Sequence, residues 1–189
     1  MADYQRTATF DFTATDGALL TPIELQARAG NGERGGSENA RIVPVSDAPS
    51  PAALEVALGF AAEGKGPGVS FLWRPALGEH AKSACLRYSV WLPKEFDFAR
   101  GGNLPGFVGG ERLSNVERPT AGFELRTKWY REGVTDFVLK SPQTEHANGQ
   151  SFGMRAGSYA RGRWIAIEQE LRLDQPGAKD GKFRVWMDG

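Results

Sequence analysis

Hydrophobic and polar residues alternate with a period of two along most of this 189-residue chain. The alternation is seen in the segments 53–58, 86–92, 123–130, 164–173 and 182–187. It indicates strands with one face on a core and the other in water. Segments rich in Gly, Pro, Asn and Asp separate the strands, at 29–36, 64–68, 101–110, 146–153 and 175–181. The pattern predicts an all-β fold, an antiparallel β-sandwich or jelly roll, with these segments as loops.

Signals for helices are weak and short. Residues 22–29 predict one or two helical turns that begin after Thr21, a residue type that caps helix N-termini. Residues 75–82 are a second short candidate. A chain of this length usually builds one core, so we expect a single domain over residues 1–189.

The two ends of the chain lead to different expectations. Asp188-Gly189 is a strong hairpin-turn signal directly after a strand pattern, and it predicts a returning strand beyond residue 189. We therefore expect a jelly roll that is truncated at its C-terminus. The first six residues lack the basic and apolar regions of a signal peptide. This leaves open a cytoplasmic protein or one whose export signal has been removed.

Composition narrows the range of partners. The chain has 23 basic and 23 acidic residues, and a neutral balance argues against a general nucleic-acid binder. No apolar run approaches the ~20 residues that cross a bilayer, so we expect no membrane insertion. Cys85 is the single cysteine and cannot form an internal disulfide; its small neighbours predict a buried thiol. His80 and His146 do not have the spacing of metal ligands, and we expect no metal site.

Several motifs occur in one order between residues 84 and 189. Phe96-Asp97-Phe98 precedes Gly101-Gly102-Asn103-Leu104-Pro105-Gly106, and an alternating strand over 123–133 follows. Gly162-Arg163-Trp164, Gln169, Pro176-Gly177 and Val185-Trp186-Met187-Asp188-Gly189 complete the series. This arrangement resembles polysaccharide lyase family 14 and its alginate- and glucuronan-lyase-like relatives. The resemblance implies a β-jelly roll with a concave sheet that binds sugar.

The resemblance also implies a chemistry, β-elimination on uronate polymers such as alginate, with no metal and no cofactor. The expected partner is an acidic polysaccharide or oligosaccharide. The reaction needs a group that neutralises the carboxylate, a base for the α-proton and an acid for the leaving oxygen. Arg126 and Asn103 are the candidates for binding the carboxylate, and Lys128 and Tyr130 for transferring protons.

The match to the family's catalytic residues is partial. The family's catalytic lysine corresponds to Asn103, and the serine that precedes its arginine by two residues corresponds to Glu124, while the arginine is kept as Arg126. The family's two strand tyrosines fall on Phe137 and Leu139, so both phenols are lost in this alignment. These departures favour a second hypothesis, a binding module that holds an acidic glycan without cleaving it.

Three further residues are candidates for contacting the sugar. Glu124 alternates on the same strand face as Arg126, Tyr159 lies in a loop, and Trp91 lies opposite the apolar set of its strand. Each has an ordinary structural explanation as well. The polar face of segment 123–130 also fits a solvent face paired with charges on neighbouring strands, and Trp91 also fits a core position. A third, weaker hypothesis is an interaction domain that keeps the fold and does not use the groove.

Overall fold

The computed structural model describes residues 4, 6–14, 16–29, 39–59, 68–75, 81–98, 101–110, 121–146, 148–153 and 157–189. These residues are nearly all strand, turn or extended chain, and the all-β class is confirmed. The chain divides into two compact units, Met1–Ala81 and Lys82–Gly189. The single domain expected from chain length stays a prediction. No helix in the described ranges is long and apolar enough to cross a membrane.

The first unit contains one helix and one pair of strands. Helix α1 (Pro22–Ala29) is confirmed, and it begins with a reciprocal cap. Glu24 donates its backbone N–H to Thr21 Oγ1, and the Glu24 carboxylate accepts from the Thr21 backbone N–H at 2.8 Å. Strands β1 (Ala40–Pro44) and β2 (Ala52–Val56) pair antiparallel. Most of the second helix candidate, residues 76–80, lies outside the described residues.

The second unit contains the remaining strands, in two antiparallel sheets. One sheet has the order β3-β8-β9, and the other has the order β4-β5-β6-β7. The strands are β3 (Ser83–Trp91), β4 (Gly102–Gly109), β5 (Phe123–Trp129), β6 (Thr135–Lys140), β7 (Gln150–Phe152), β8 (Trp164–Arg172) and β9 (Lys182–Met187). A short 3-10 turn, Arg131–Gly133, connects β5 to β6.

The core of this unit lies between the two sheets, as a sandwich requires. Ile165 and Ile167 of β8 are completely buried and cluster with Trp129 at the end of β5. At another point, Phe137 of β6 meets Phe183 of β9 edge to face, with ring centroids 5.3 Å apart. The apolar positions of the alternating segments therefore point inward, as predicted for β5 and β8.

A polar bridge also crosses this core, which the alternation did not predict. Gln169 of β8 is completely buried, and its Nε2 donates to Thr127 Oγ1 at 2.8 Å and to the Pro105 carbonyl at 3.0 Å. The same Nε2 lies 3.1 Å from the Tyr88 hydroxyl, whose pKa is raised by burial. Because these groups come from β3, β4, β5 and β8, their hydrogen bonds tie the two sheets together.

The glycine-rich segment 101–110, predicted to be a loop, forms strand β4 instead. The physical reason is its neighbour β5, whose large aromatic side chains lie over the β4 glycines. Gly102 pairs with Trp129 and Gly109 pairs with Phe123, and a Cβ on either glycine would overlap the ring of its partner. Glycine here makes room for aromatic side chains on a cross-strand position. Within segment 101–110, positive φ occurs at Gly101 and Gly110, which flank the strand.

Two other expectations are corrected. Segment 146–153, predicted to be a loop, contains strand β7. Cys85 was expected to be buried but is exposed, because it occupies an outward position of β3 between the inward-facing Ala84 and Leu86. Partial desolvation and the nearby Glu168 carboxylate raise the pKa of its thiol.

Candidate functional site

The four-stranded sheet has one face against the three-stranded sheet and an opposite face, which we call the outer face. Leu125, Thr127 and Trp129 of β5 are buried on the inner side, so their alternating neighbours lie on the outer face. Strand register assigns the neighbours of these residues on the other strands. The outer face comprises Asn103, Val108, Glu124, Arg126, Lys128, Asp136, Val138, Lys140 and Ser151.

Arg126 lies near the middle of the outer face, beside an irregularity in the sheet. Between the pairs Leu104–Thr127 and Phe107–Leu125, two residues of β4 oppose Arg126 alone. This is a β-bulge, a device that bends a strand and changes the direction of the side chain beside it. Arg126 Nε donates to Glu124 Oε1 at 2.6 Å, while 42% of the Arg126 side chain stays exposed. The guanidinium is thus partly neutralised and still accessible to a ligand.

A second group of candidates lies one step further along β5. Asn103 of β4 is the direct cross-strand partner of Lys128. Tyr130 follows the end of β5, and the Lys128 ammonium lies 5.6 Å from the centre of its ring. Successive residues on one strand face are about 6.5–7 Å apart. Arg126, Lys128 and Tyr130 therefore form a row that a single sugar chain can follow, with Asn103 beside it.

Asp136 is a residue of the outer face that the sequence interpretation missed. It is the cross-strand partner of Lys128 on β6 and is completely buried. Its Oδ2 accepts a hydrogen bond of 2.6 Å from the Ser151 hydroxyl, and its Oδ1 has no hydrogen-bond partner among the described residues. Burial raises the pKa of the Tyr130 phenol, and the nearby Asp136 carboxylate raises it further. The buried carboxylate of Asp136 thus lies close to the two proton-transfer candidates, Lys128 and Tyr130.

Strand register shows on which face the two positions aligned with the family tyrosines lie. Phe137 and Leu139 pair with Thr127 and Leu125, so they lie on the inner face. The positions opposite Arg126 and Glu124 on the outer face are Val138 and Lys140. The loss of both phenols from this strand remains, because neither of these residues is a tyrosine. A lysine now stands at one of the two positions.

Two sugar-binding candidates do not reach the outer face. Trp91 is 40% exposed, but it belongs to β3 in the other sheet, where it packs on Trp164 with ring centroids 5.7 Å apart. Tyr159 lies in a loop, as predicted, yet it is buried in the core next to Trp129, and burial raises the pKa of its phenol. Asn103, Glu124, Arg126, Lys128 and Tyr130 are therefore the candidates that the structure brings together.

The charges of the outer face are mixed. It contains the cations Arg126, Lys128 and Lys140, the carboxylate of Glu124 and the buried carboxylate of Asp136. Such a face can hold an anionic sugar through the cations and can exchange protons through an amine and a phenol. In the described ranges no group of three His, Cys, Asp or Glu side chains could hold a metal ion.

Comparison with protein families identifies one match. Residues 56–189 match the profile of the family described as polysaccharide lyase 14. This range includes every strand of the second unit and therefore the whole outer face. Among curated proteins no relative was found.

Comparison with solved structures finds the same fold in alginate lyases. The chain resembles a marine PL-14 alginate lyase from Aplysia kurodai, with 24% identity, a TM-score of 0.68 and coverage of 83% of this chain and 68% of that one. It resembles the alginate lyase vAL-1 from Chlorella virus at 22% identity and a TM-score of 0.54 over 67% of this chain and 60% of that one. A double mutant of alginate lyase Aly36B, in complex with alginate trisaccharide, matches at 22% identity and a TM-score of 0.58 over 72% of this chain and 59% of that one.

Proposed function

Because the chain belongs to the polysaccharide lyase 14 family, we propose that it acts by β-elimination on a uronate-containing polysaccharide such as alginate. The observation that carries the proposal is the placement of Asn103, Arg126, Lys128 and Tyr130 on or beside one sheet face. The fold shared with alginate lyases supports the choice of an acidic polysaccharide as substrate.

Each residue has a role in the elimination. Arg126 and Asn103 hold the carboxylate attached to C5 of the uronate, which makes the proton on C5 more acidic. The neutral amine of Lys128 removes that proton, the bond from C4 to the glycosidic oxygen breaks, and a C4–C5 double bond forms. Tyr130 gives its phenolic proton to the departing oxygen. A lysine acts as a base only when its amine is neutral, so we expect cleavage to be favoured at alkaline pH.

A second candidate function is binding without cleavage. The observation that favours it is the composition of the outer face, where Asn103 replaces the family's lysine and the positions opposite Arg126 and Glu124 are Val138 and Lys140. Glu124 in addition binds the guanidinium that a uronate would need. In this alternative the same face retains an acidic glycan and releases it unchanged.

Incubation with alginate, polymannuronate and glucuronan separates the two functions. Cleavage creates a C4–C5 double bond, and the ultraviolet absorbance of the unsaturated ends should increase with time. Absence of any increase at high protein concentration and alkaline pH would contradict the lyase proposal. Retardation of the same protein in gels containing a uronan would then support the binding function, and migration unchanged by any uronan would contradict both.

Replacement of Glu124 by serine should strengthen uronan binding by about fivefold. A partly exposed ion pair contributes up to about 1 kcal/mol, and this is the energy that a uronate must displace to reach Arg126. The substitution also removes a negative charge that repels the ligand. Affinity electrophoresis over a series of uronan concentrations measures the dissociation constants of both proteins.

A matched control for this substitution lies on the other sheet. Glu170 of β8 accepts from Arg184 of β9 at 2.8 Å, and its side chain is 21% exposed, close to the 19% of Glu124. The variant Glu170→Ser should leave the dissociation constant unchanged. Equal gains in both variants would mean that overall charge, and not release of Arg126, determines binding.

A further inference from the structure

We propose that Asp136 is a positioning residue for Tyr130, whose phenolic hydroxyl it holds through Oδ1 so that Tyr130 serves as the proton donor of the outer face. The inference rests on the proposed β-elimination and assigns a role to a residue outside the family motifs described above.

Complete burial of a carboxylate with an unpartnered oxygen is costly. Asp136 is completely buried, and Ser151 supplies a hydrogen bond to Oδ2 alone. Removing a charged group from water without hydrogen bonds to both oxygens costs free energy that the fold must supply elsewhere. A buried polar atom without a hydrogen bond needs an explanation. A hydrogen-bond donor that reaches Oδ1 would supply it.

Tyr130 is the donor that the surroundings of Asp136 supply. The phenol lies close enough to Asp136 for the carboxylate to disfavour the phenolate. Two charged groups face Tyr130 in the described residues, Asp136 from β6 and Lys128 from β5. Gly101, which precedes β4, is also close to Tyr130 and is uncharged. The Tyr130 hydroxyl can thus donate a hydrogen bond to Oδ1 until the glycosidic oxygen becomes the stronger acceptor.

The role follows from the proton balance of the elimination. As the bond to C4 breaks, the electron pair stays on the glycosidic oxygen, and the phenolic proton of Tyr130 moves to that oxygen. Lys128 has meanwhile gained the proton from C5, and solvent returns a proton from the ammonium to the phenolate. The Asp136 charge keeps Tyr130 protonated at the alkaline pH where lysine becomes a base, because it raises the pKa of the phenol.

Spectrophotometric titration of the phenols tests the pair without relying on activity. The chain has four tyrosines, so the titration of Tyr130 is obtained by subtracting the curve of Tyr130→Phe from that of the unmodified protein. We expect this phenol to ionise above the ordinary tyrosine pKa of about 10. In the Asp136→Asn background, with Asp136→Asn/Tyr130→Phe as its reference, ionisation should move to lower pH. Ser151→Ala removes a hydrogen bond from the same carboxylate and keeps the charge, so it should leave the titration raised.

The outcomes separate this inference from the proposed function. Ionisation of Tyr130 at or below its ordinary pKa, or at the same pH with and without the Asp136 charge, overturns the pairing whatever the activity. If Asp136→Asn does not fold, the pH at which Tyr130 ionises can still be compared with the ordinary tyrosine pKa, because that measurement needs only Tyr130→Phe. If uronans are cleaved, the alkaline limb of kcat/KM should move to lower pH in Asp136→Asn, a shift that a purely structural role would not produce. If the titration shows that Asp136 pairs with Tyr130 but the protein cleaves no uronan, the pairing stands. The donor role of Tyr130 and the lyase proposal are then contradicted.

Discussion

Replacing Arg126 by alanine is expected to weaken the retention of uronans by about 10- to 150-fold. Hydrogen bonds to charged groups contribute about 1.5–3 kcal/mol, and the planar guanidinium matches a carboxylate with two parallel bonds. Arg126 lies on the outer face at the β-bulge, where no β4 residue is in direct register with it. Its removal also leaves Glu124 without its ion-pair partner, and this carboxylate then repels the ligand. Affinity electrophoresis in alginate gels measures the change.

An exposed arginine on the other sheet provides the control for this experiment. Arg87 lies on an outward position of β3, and Arg87→Ala removes the same charge from the same unit. It should retain uronan binding close to that of the unmodified protein. Weaker binding in Arg87→Ala together with unchanged binding in Arg126→Ala would place the glycan on the three-stranded sheet, where Trp91 is exposed, and would contradict the proposed site. Arg126→Lys distinguishes charge from geometry, since a lysine keeps the charge and loses the two parallel bonds.

The site could be predicted from sequence wherever a single strand contains it. The alternation within β5 separates Glu124, Arg126 and Lys128 from Leu125 and Trp129, and the structure confirms this separation. A period of two is a local property of one strand, so it can be recognised without knowing which strands lie beside it. The same holds for the Thr21 cap of α1, which depends on contacts within one turn.

Relationships between strands could not be predicted in the same way. A shift of one residue in a hairpin moves every side chain of the next strand to the opposite face, and the turn over 130–134 sets that shift for β6. Only the register shows that Val138 and Lys140, and not Phe137 and Leu139, lie on the outer face opposite Arg126 and Glu124. Asp136 was missed for the same reason. The alternation of Asp136, Val138 and Lys140 was visible in the sequence, but its face and its burial depend on β5 and Ser151.

The glycine-rich segment shows a different limit of sequence interpretation. Five glycines between 101 and 110 are typical of a loop, because glycine permits sharp bends and positive φ. In β4 the glycines within the strand are instead required by their neighbours. Trp129 and Phe123 occupy the space that side chains at Gly102 and Gly109 would need. Only the partner strand shows which of the two reasons applies. The substitution of a single glycine can therefore test the assembly of the whole sheet.

Gly106→Ala should destabilise the second unit by about 3 kcal/mol, the upper part of the range for overpacking. A Cβ on Gly106 would overlap the backbone carbonyl oxygen of Leu125, and a backbone atom of a paired strand cannot move aside as a flexible side chain can. The bulge would have to open, which would displace the Pro105 carbonyl from Gln169 and change the direction of Arg126. At about 4 °C per kcal/mol, the value for a unit of about 100 residues, the midpoint of thermal unfolding of this unit should fall by about 12 °C. Gly157→Ala is the control, because a Cβ there meets its nearest atom at an ordinary 3.8 Å and the φ of Gly157 is not in the positive region. This variant should change stability by less than about 0.5 kcal/mol.

Equal stability of Gly106→Ala and Gly157→Ala, measured by circular dichroism, would contradict the close packing of β4 on β5. Loss of uronan retention in Gly106→Ala at temperatures where the variant is still folded would show that the bulge also sets the direction of Arg126.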